Sequence, residues 1–172
     1  MNAIDVRDLL ERPGSARRVR LDEPVEGLRT ELAAVAPEAP IEGELTLESV
    51  LEGIFVTGSV GGRMMLRCAR CLKEFEAEFD VAMNELYVRE PGPEDDYVLA
   101  DDLTLDPEPM VRDAVVLQMP FSPLCTPDCL GLCERCGGDR NIGECTCGPE
   151  VDARWSALEA LFADDATDAT ND

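Results

Sequence analysis

The sequence contains no histidine and a single lysine, Lys73. The first absence excludes Ser-His-Asp and Cys-His catalysis, HExxH metalloprotease sites and any metal held by imidazole. The second excludes a P-loop, because Lys73 lies in no glycine-rich phosphate cradle. Aromatic residues make up only 5% of the chain, so a core must be built mainly from aliphatic side chains. No apolar run approaches the ~20 residues that a membrane helix needs. The first ten residues are neither basic nor followed by a signal-type apolar stretch, which predicts a soluble, cytoplasmic protein with no membrane partner. Bases are scarce as well: 15 Lys and Arg stand against 37 Asp and Glu, a formal net charge of −22. That excess of acid opposes general nucleic-acid binding, which needs clustered Lys and Arg to neutralise phosphates. Length is adequate, since 172 residues suit one domain with a small appended module.

The bases are unevenly placed. Residues 31–60 and 91–110 hold acids and no base, whereas Arg63, Arg67, Arg70 and Lys73 crowd around one cysteine pair. Arg17, Arg18 and Arg20 form a second group near the N-terminus. On one reading the acids are a solvated surface, and the four central bases merely flank thiolates and pair with Glu74, Glu76 and Glu78. On the other, Arg63, Arg67, Arg70 and Lys73 are a local RNA-contacting patch on an acidic body that repels non-specific binding or accepts a basic protein.

Hydrophobic periodicity predicts an antiparallel meander of at least three one-sided strands. A short helix is expected over Asp5 to Glu11, stopped by Pro13-Gly14, and then a strand over Ala16 to Leu21. Pro24 to Pro40 reads as irregular, with room for a short helical piece. Ile41, Leu45, Leu47 and Leu51 share one parity while Glu42, Glu44 and Glu48 take the other, a strand with one wet face. Ile54, Val56 and Val60 resume that period after Gly53. Gly61-Gly62 reads as a two-residue hairpin turn, with a return strand from Arg63 to Arg67. Phe75, Ala77, Phe79 and Val81 then alternate with Glu74, Glu76, Glu78 and Asp80, whose four acids must meet water or a cationic partner. Pro91 to Asp102 reads as an acidic loop with a short strand at Tyr97 to Ala100. Asp106-Pro107 opens a helix through Met110, Val111, Ala114, Val115, Leu117 and Gln118, which Pro120 and Pro123 stop. Val151, Trp155, Leu158, Leu161 and Phe162 share one face of a last helix. Asp164 to Asp172 is small, acidic and expected to be disordered.

Eight cysteines form four short pairs: Cys68-x2-Cys71, Cys125-x3-Cys129, Cys133-x2-Cys136 and Cys145-x-Cys147. Two thiolates a few residues apart can hold one metal from a single turn, and two such turns complete a tetrahedron. Four pairs therefore match two zinc ions, each held by four cysteines. Gly137 and Gly148 directly follow cysteines, where the backbone must curl its amides toward sulfur. Arg70 and Arg135 would offset the negative charge of a tetrathiolate centre. Structural disulfides would require an oxidising compartment, and a redox CxxC would require a helix N-terminus after a strand. Iron, alone or in a cluster, fits four thiolates as well as zinc does. Cys133, Cys136, Cys145 and Cys147 lie close enough in sequence to form one site cheaply, leaving Cys68, Cys71, Cys125 and Cys129 for a long-range staple. The rival grouping joins Cys125 and Cys129 to Cys133 and Cys136, and Cys68 and Cys71 to Cys145 and Cys147.

Cys68-Ala69-Arg70-Cys71-Leu72, followed by Pro123-Leu124-Cys125-Thr126-Pro127-Asp128-Cys129-Leu130-Gly131-Leu132-Cys133-Glu134-Arg135-Cys136-Gly137, resembles the YceD family of large ribosomal RNA subunit accumulation proteins. The order of elements fits over nearly the whole chain. Asp139-Arg140-Asn141 departs from the pattern, where an apolar residue is expected before the asparagine. The resemblance implies a non-enzymatic role in ribosome biogenesis: accumulation and processing of 23S ribosomal RNA, large-subunit assembly, and no catalytic residues. Its implied partners are precursor 23S rRNA or large-subunit assembly intermediates, with a basic ribosomal protein as a further candidate. A zinc-ribbon module that binds a protein away from the ribosome is the alternative.

The expected fold class is α+β: an antiparallel β-meander domain with a few short helices and a Cys-rich zinc-binding C-terminal segment. Its expected divisions are residues 1–120, the β-rich domain with the CxxC hairpin; 121–148, a zinc ribbon-like segment; 149–163, a helix; and 164–172, an acidic tail.

Overall fold

Alternation of apolar and charged residues along four long segments is what builds this molecule. In the computed structural model, residues 1–143 and 145–148 are described. The chain divides into two compact units, Met1–Cys129 and Leu130–Asp172. In the first, β2 (Ala16–Pro24), β3 (Ala33–Ala34), β4 (Pro40–Ser49), β5 (Gly53–Arg67) and β6 (Glu74–Val88) form one antiparallel sheet. The long strands lie in the order β2-β4-β5-β6, with β3 beside the end of β5. β1 (Ile4–Asp5) and β7 (Thr104–Leu105) make a separate antiparallel pair. The two helices are α1 (Arg7–Leu10) and α2 (Glu108–Gln118).

Ile41, Leu45 and Leu47 of β4 and Ile54, Val56 and Val60 of β5 are completely buried, while Glu42, Glu44 and Glu48 face outward. Each such aliphatic side chain contributes about 1.5–3 kcal/mol on burial. α2 covers this apolar layer with Met110, Val111 and Val115, and packs on β6. Pro107 stands at its N-cap, and the Asp106 carboxylate just before it accepts from the Glu108 amide at 3.0 Å. Tyr87 of β6 is buried, stacks on Tyr97 with ring centroids 5.3 Å apart, and donates to the Asp106 carbonyl at 2.7 Å.

Three expectations need correction. Gly61-Gly62 is not a turn: β5 runs unbroken through both, and the chain reverses at residues 50–52 instead. Neither glycine has a positive φ; what the position requires is close approach, because a Cβ on Gly61 would lie 2.8 Å from the Phe79 carbonyl oxygen. Leu51 is correspondingly not on the apolar face but 92% exposed at the reversal. Finally, the segment between Pro24 and Pro40 holds no helix. It places β3 against Leu66 and Met65, and Thr30 accepts the Ala33 amide through its hydroxyl at 3.1 Å. In a smaller difference, β2 extends to Pro24, three residues beyond the expected end at Leu21.

In the second unit, Leu132 bridges Asp139, and the Arg140 amide donates to the Gly131 carbonyl at 3.0 Å. The unusual Asp139-Arg140-Asn141 stretch is held by polar bonds, with the Asn141 side-chain oxygen accepting from the Leu130 amide at 2.8 Å. Among its described residues no hydrophobic side chain is buried. The expected helix over 149–163 and tail over 164–172 lie outside the described residues. No helix among the described residues is long and apolar enough to cross a membrane.

The reversal at residues 50–52 separates two leucines that sequence parity puts together. Leu47→Ala should destabilise the protein by about 2–5 kcal/mol, and Leu51→Ala by less than about 0.5 kcal/mol, measured by urea unfolding. Equal losses would return Leu51 to the apolar face.

Candidate metal centres

β5 ends at Arg67 and β6 begins at Glu74, so the six residues Cys68 to Lys73 form the connection between two fully paired strands. Cys125 and Cys129 reach the same place after α2 has ended, and the Ala69 amide ties the two segments by donating to the Pro123 carbonyl at 2.8 Å. The sulfurs of Cys68, Cys71, Cys125 and Cys129 all lie within 4.8 Å of one another. Cys68 and Cys129 are 3.7 Å apart, and Cys71 and Cys125 3.6 Å. A disulfide would need about 2.05 Å. A tetrahedron with Zn–S bonds of ~2.3 Å has edges of about 3.8 Å, so the spacing fits a four-thiolate cation site and not covalent pairing. Cys68, Cys71 and Cys129 are buried and Cys125 is half-buried. Arg70 lies over this cluster, its guanidinium donating to the Cys129 carbonyl at 2.9 Å.

In the second unit, Cys133, Cys136, Cys145 and Cys147 likewise gather within 4.8 Å. Of the two groupings the sequence allows, the structure brings together this one. Here Cys136 is exposed and the other three are half-buried.

The two clusters are built on one turn. The Cys68 amide donates to the Lys73 carbonyl at 2.9 Å, and the Leu72 amide to the Cys68 carbonyl at 2.9 Å. The Cys133 amide likewise donates to Gly138, and the Gly137 amide to Cys133, both at 2.8 Å. The fifth residue of each turn is left-handed: Leu72 has φ 61° and Gly137 φ 70°. Glycine adopts that conformation freely, whereas leucine is strained there.

The same turns aim backbone amides at the first sulfur of each pair. Burial pushes the Cys68 thiol up, but N–H groups of Cys125, Cys71 and Arg70 outweigh it and bring it down to about 6. N–H groups of Cys136 and Arg135, helped by the Cys145 thiol, bring Cys133 down to about 6. Other sulfurs move the opposite way. For Cys71 the Lys73 amide pulls down, yet burial and the thiols of Cys125, Cys68 and Cys129 prevail and push it to about 12. The Cys136 thiol and burial push Cys147 up to about 12. Burial, with the thiols of Cys129 and Cys68, raises Cys125 against a lowering contact from Cys71. Each cluster thus mixes a ready thiolate with protonated thiols, and a cation bound there would displace the remaining protons.

The four bases singled out in the sequence do not form one free patch. Arg63 pairs with Glu76 at 3.2 Å and Arg67 with Glu74 at 3.1 Å, both on the exposed face of the sheet. Arg70 is committed to the Cys129 carbonyl, and the Lys73 side chain is exposed without an ion pair among the described residues. Sequence reasoning missed a groove of about 420 Å³ across β4, β5 and β6. Its lining includes Gly43, Ser59, Gly61 and Gly62, together with Glu42, Glu44, Glu78, Asp80 and Arg63. The alternating acids were visible, but their meeting depends on the register that sets Glu42 opposite Gly61 and Gly61 opposite Asp80.

Since the Leu72 side chain is 55% exposed, replacing it removes little packing. Leu72→Gly should therefore relieve the left-handed strain and stabilise the first unit by about 1 kcal/mol in urea unfolding. A loss of stability would show that contacts of the leucine side chain hold the turn.

The family described as large ribosomal RNA subunit accumulation protein YceD matches residues 56–162. An uncharacterized protein of Mycobacterium tuberculosis is 34% identical over 167 residues, which cover 92% of this chain and 80% of the relative. A Mycobacterium leprae relative, also uncharacterized, is 30% identical over 168 residues, covering 94% of this chain and 77% of its own. A Zea mays protein, the chloroplastic large ribosomal RNA subunit accumulation protein YCED homolog 1, is 34% identical over 64 residues, 37% of this chain and 22% of the maize protein. No solved structure matches the chain. A match that spans both cysteine clusters and nearly all of the β5–β6 pair, together with relatives aligned over nearly the whole sequence, places this chain in the YceD family.

Proposed function

We propose that this protein is a non-enzymatic factor of ribosome biogenesis that promotes 23S rRNA accumulation and large-subunit assembly, with two structural zinc ions. The observation that carries this reading is the pair of four-sulfur clusters within a chain of the YceD family. Cys68, Cys71, Cys125 and Cys129 would hold one ion, and Cys133, Cys136, Cys145 and Cys147 the other. Bound zinc would supply the positive charge that keeps four thiolates together. Four protein sulfurs complete a tetrahedral shell and leave no position for a substrate, which supports a structural role over a catalytic one.

The charge distribution supports two kinds of contact. The groove of Glu42, Glu44, Glu78 and Asp80, floored by glycines, suits an extended Lys- and Arg-rich segment of a ribosomal protein. Arg63, Arg67, Arg70 and Lys73 are the proposed contacts to precursor rRNA. The ion pairs of Arg63 and Arg67 are solvent-exposed, so exchanging a carboxylate for a phosphate costs little. Reversing these four bases to glutamate should remove salt-sensitive co-sedimentation with large-subunit precursors. Changing Glu42, Glu44 and Glu78 to Gln and Asp80 to Asn should instead weaken retention on basic ribosomal proteins. Normal co-sedimentation of the first variant would defeat the RNA contact, and unchanged retention of the second the protein contact.

Metal binding has its own signature. Elemental analysis of protein purified without chelators should find two zinc per chain, and Cys71→Ser should leave one. Affinity should fall as pH is lowered, because protons that zinc displaces from thiols such as Cys71 and Cys147 then compete more strongly. The fall should steepen below a pH of about 6, where Cys68 and Cys133 also protonate. A chain free of metal, or an affinity independent of pH, would overturn the metal reading.

A further inference from the structure

The two sulfur clusters share a turn but not an environment. In the first, Cys68 is 0%, Cys71 8% and Cys129 1% exposed and Cys125 is half-buried, in a unit with its own apolar core. In the second, Cys136 is exposed, the other sulfurs are half-buried, and no described residue from 130 onward buries a hydrophobic side chain. Positions Gly137, Gly143 and Gly148 have open space where a side chain would stand. Among the described residues of this segment, the contacts are a few polar bonds and the gathering of the four sulfurs.

We infer that Cys133, Cys136, Cys145 and Cys147 form a peroxide-sensitive thiolate site, which yields its metal on oxidation while the first site stays loaded. This rests on the proposal that both clusters hold zinc. Thiolate oxidation follows access and thiolate character, and a metal-held thiolate at Cys136 has both. The Cys136 sulfur would attack hydrogen peroxide, forming an S–O bond as the O–O bond breaks and hydroxide leaves. The Cys147 sulfur, within 4.8 Å, would then attack the resulting sulfenic acid and form a disulfide. In sum, two thiolates, one peroxide and two protons give one disulfide and two waters. Two electrons pass from sulfur to peroxide. With two of its four ligands joined to each other, the site would release zinc, and a dithiol reductant would restore both thiols. In the first cluster three of the four sulfurs are buried and none is fully exposed, so peroxide reaches them less readily.

The test uses the full zinc-loaded chain, exposed to hydrogen peroxide in the presence of the chromogenic chelator 4-(2-pyridylazo)resorcinol. One of two zinc equivalents should leave roughly tenfold faster than the other, or more, as exposure dictates. Mass spectrometry should place the new disulfide between Cys136 and Cys147, and the far-ultraviolet signal of the sheet should persist. Dithiothreitol and zinc should reverse the release. Cys136→Ser should abolish the fast phase, whether that variant still holds zinc at the second site or carries only the slow equivalent. Release of both equivalents at one rate would overturn the inference while leaving the metal reading intact, as would a first disulfide among Cys68, Cys71, Cys125 and Cys129. Protein that carries no zinc would overturn both.

Discussion

The pairing of β5 with β6, residue for residue from Gly53 opposite Val88 to Arg67 opposite Glu74, is the constraint on which the first unit depends. It carries the chain for fifteen residues along one edge before letting it turn, and the turn is where Cys68 and Cys71 sit. Because β4 pairs with β5 and α2 packs on β6, the position of that turn is set by the sheet and its core. A register slip by one residue would turn Val60 and Met64 outward and displace the cysteine pair from Cys125 and Cys129. The first sulfur cluster is thus a consequence of sheet register. The second has no such support among its described residues, since it draws on no buried apolar side chain.

That contrast sets the energetic role of a metal in each place. A domain of this size is stable by about 5–15 kcal/mol, and structural zinc binds small peptides with about 10–16 kcal/mol of apparent free energy. For a unit with a continuous core, a bound ion would add to stability that already exists. For the second cluster, whose described residues bury no apolar side chain, a bound ion would carry a larger share of the stability. One six-residue turn therefore serves two ends, and the left-handed position within it records the difference. In the open segment Gly137 adopts the conformation without strain, whereas in the packed unit the strain at Leu72 is borne by the surrounding structure.

Much of this was readable from the chain itself. Alternation over Ile41 to Leu47 and Phe75 to Val81 revealed one-sided strands, because a half-buried strand leaves a period of two. The spacing of the cysteines narrowed the grouping, since short loops close at low entropic cost. Other features depend on partners far away in sequence. Gly61-Gly62 carries the same letters whether it turns or lets two backbones approach, and only the Phe79 carbonyl 2.8 Å from a hypothetical Cβ decides between them. Once that turn is moved, Leu51 leaves the apolar parity and β5 doubles in length. The strain at Leu72 was hidden for a different reason: nothing in leucine announces a positive φ, and only its equivalence to Gly137 marks it.

Charge completes the relation between fold and proposed role. On a body with 37 acids, a basic residue attracts phosphate only where local geometry frees it from carboxylates. Arg63 and Arg67 face Glu76 and Glu74 across the sheet, and Arg70 faces a carbonyl, so the bases near the first cluster are held in place but not fully neutralised. The acids two and four residues further along β6, Glu78 and Asp80, instead line the glycine-floored groove, opened by the absence of side chains at Gly61 and Gly62. A cationic chain laid there would approach the backbone closely. The same register that fixes the sulfur cluster therefore arranges the charges, leaving Arg67, Arg70 and Lys73 near the turn and a concave, mainly anionic strip beside it, which Arg63 also lines. For a factor proposed to work between ribosomal RNA and ribosomal protein, two neighbouring patches of opposite charge on one face offer a contact to each.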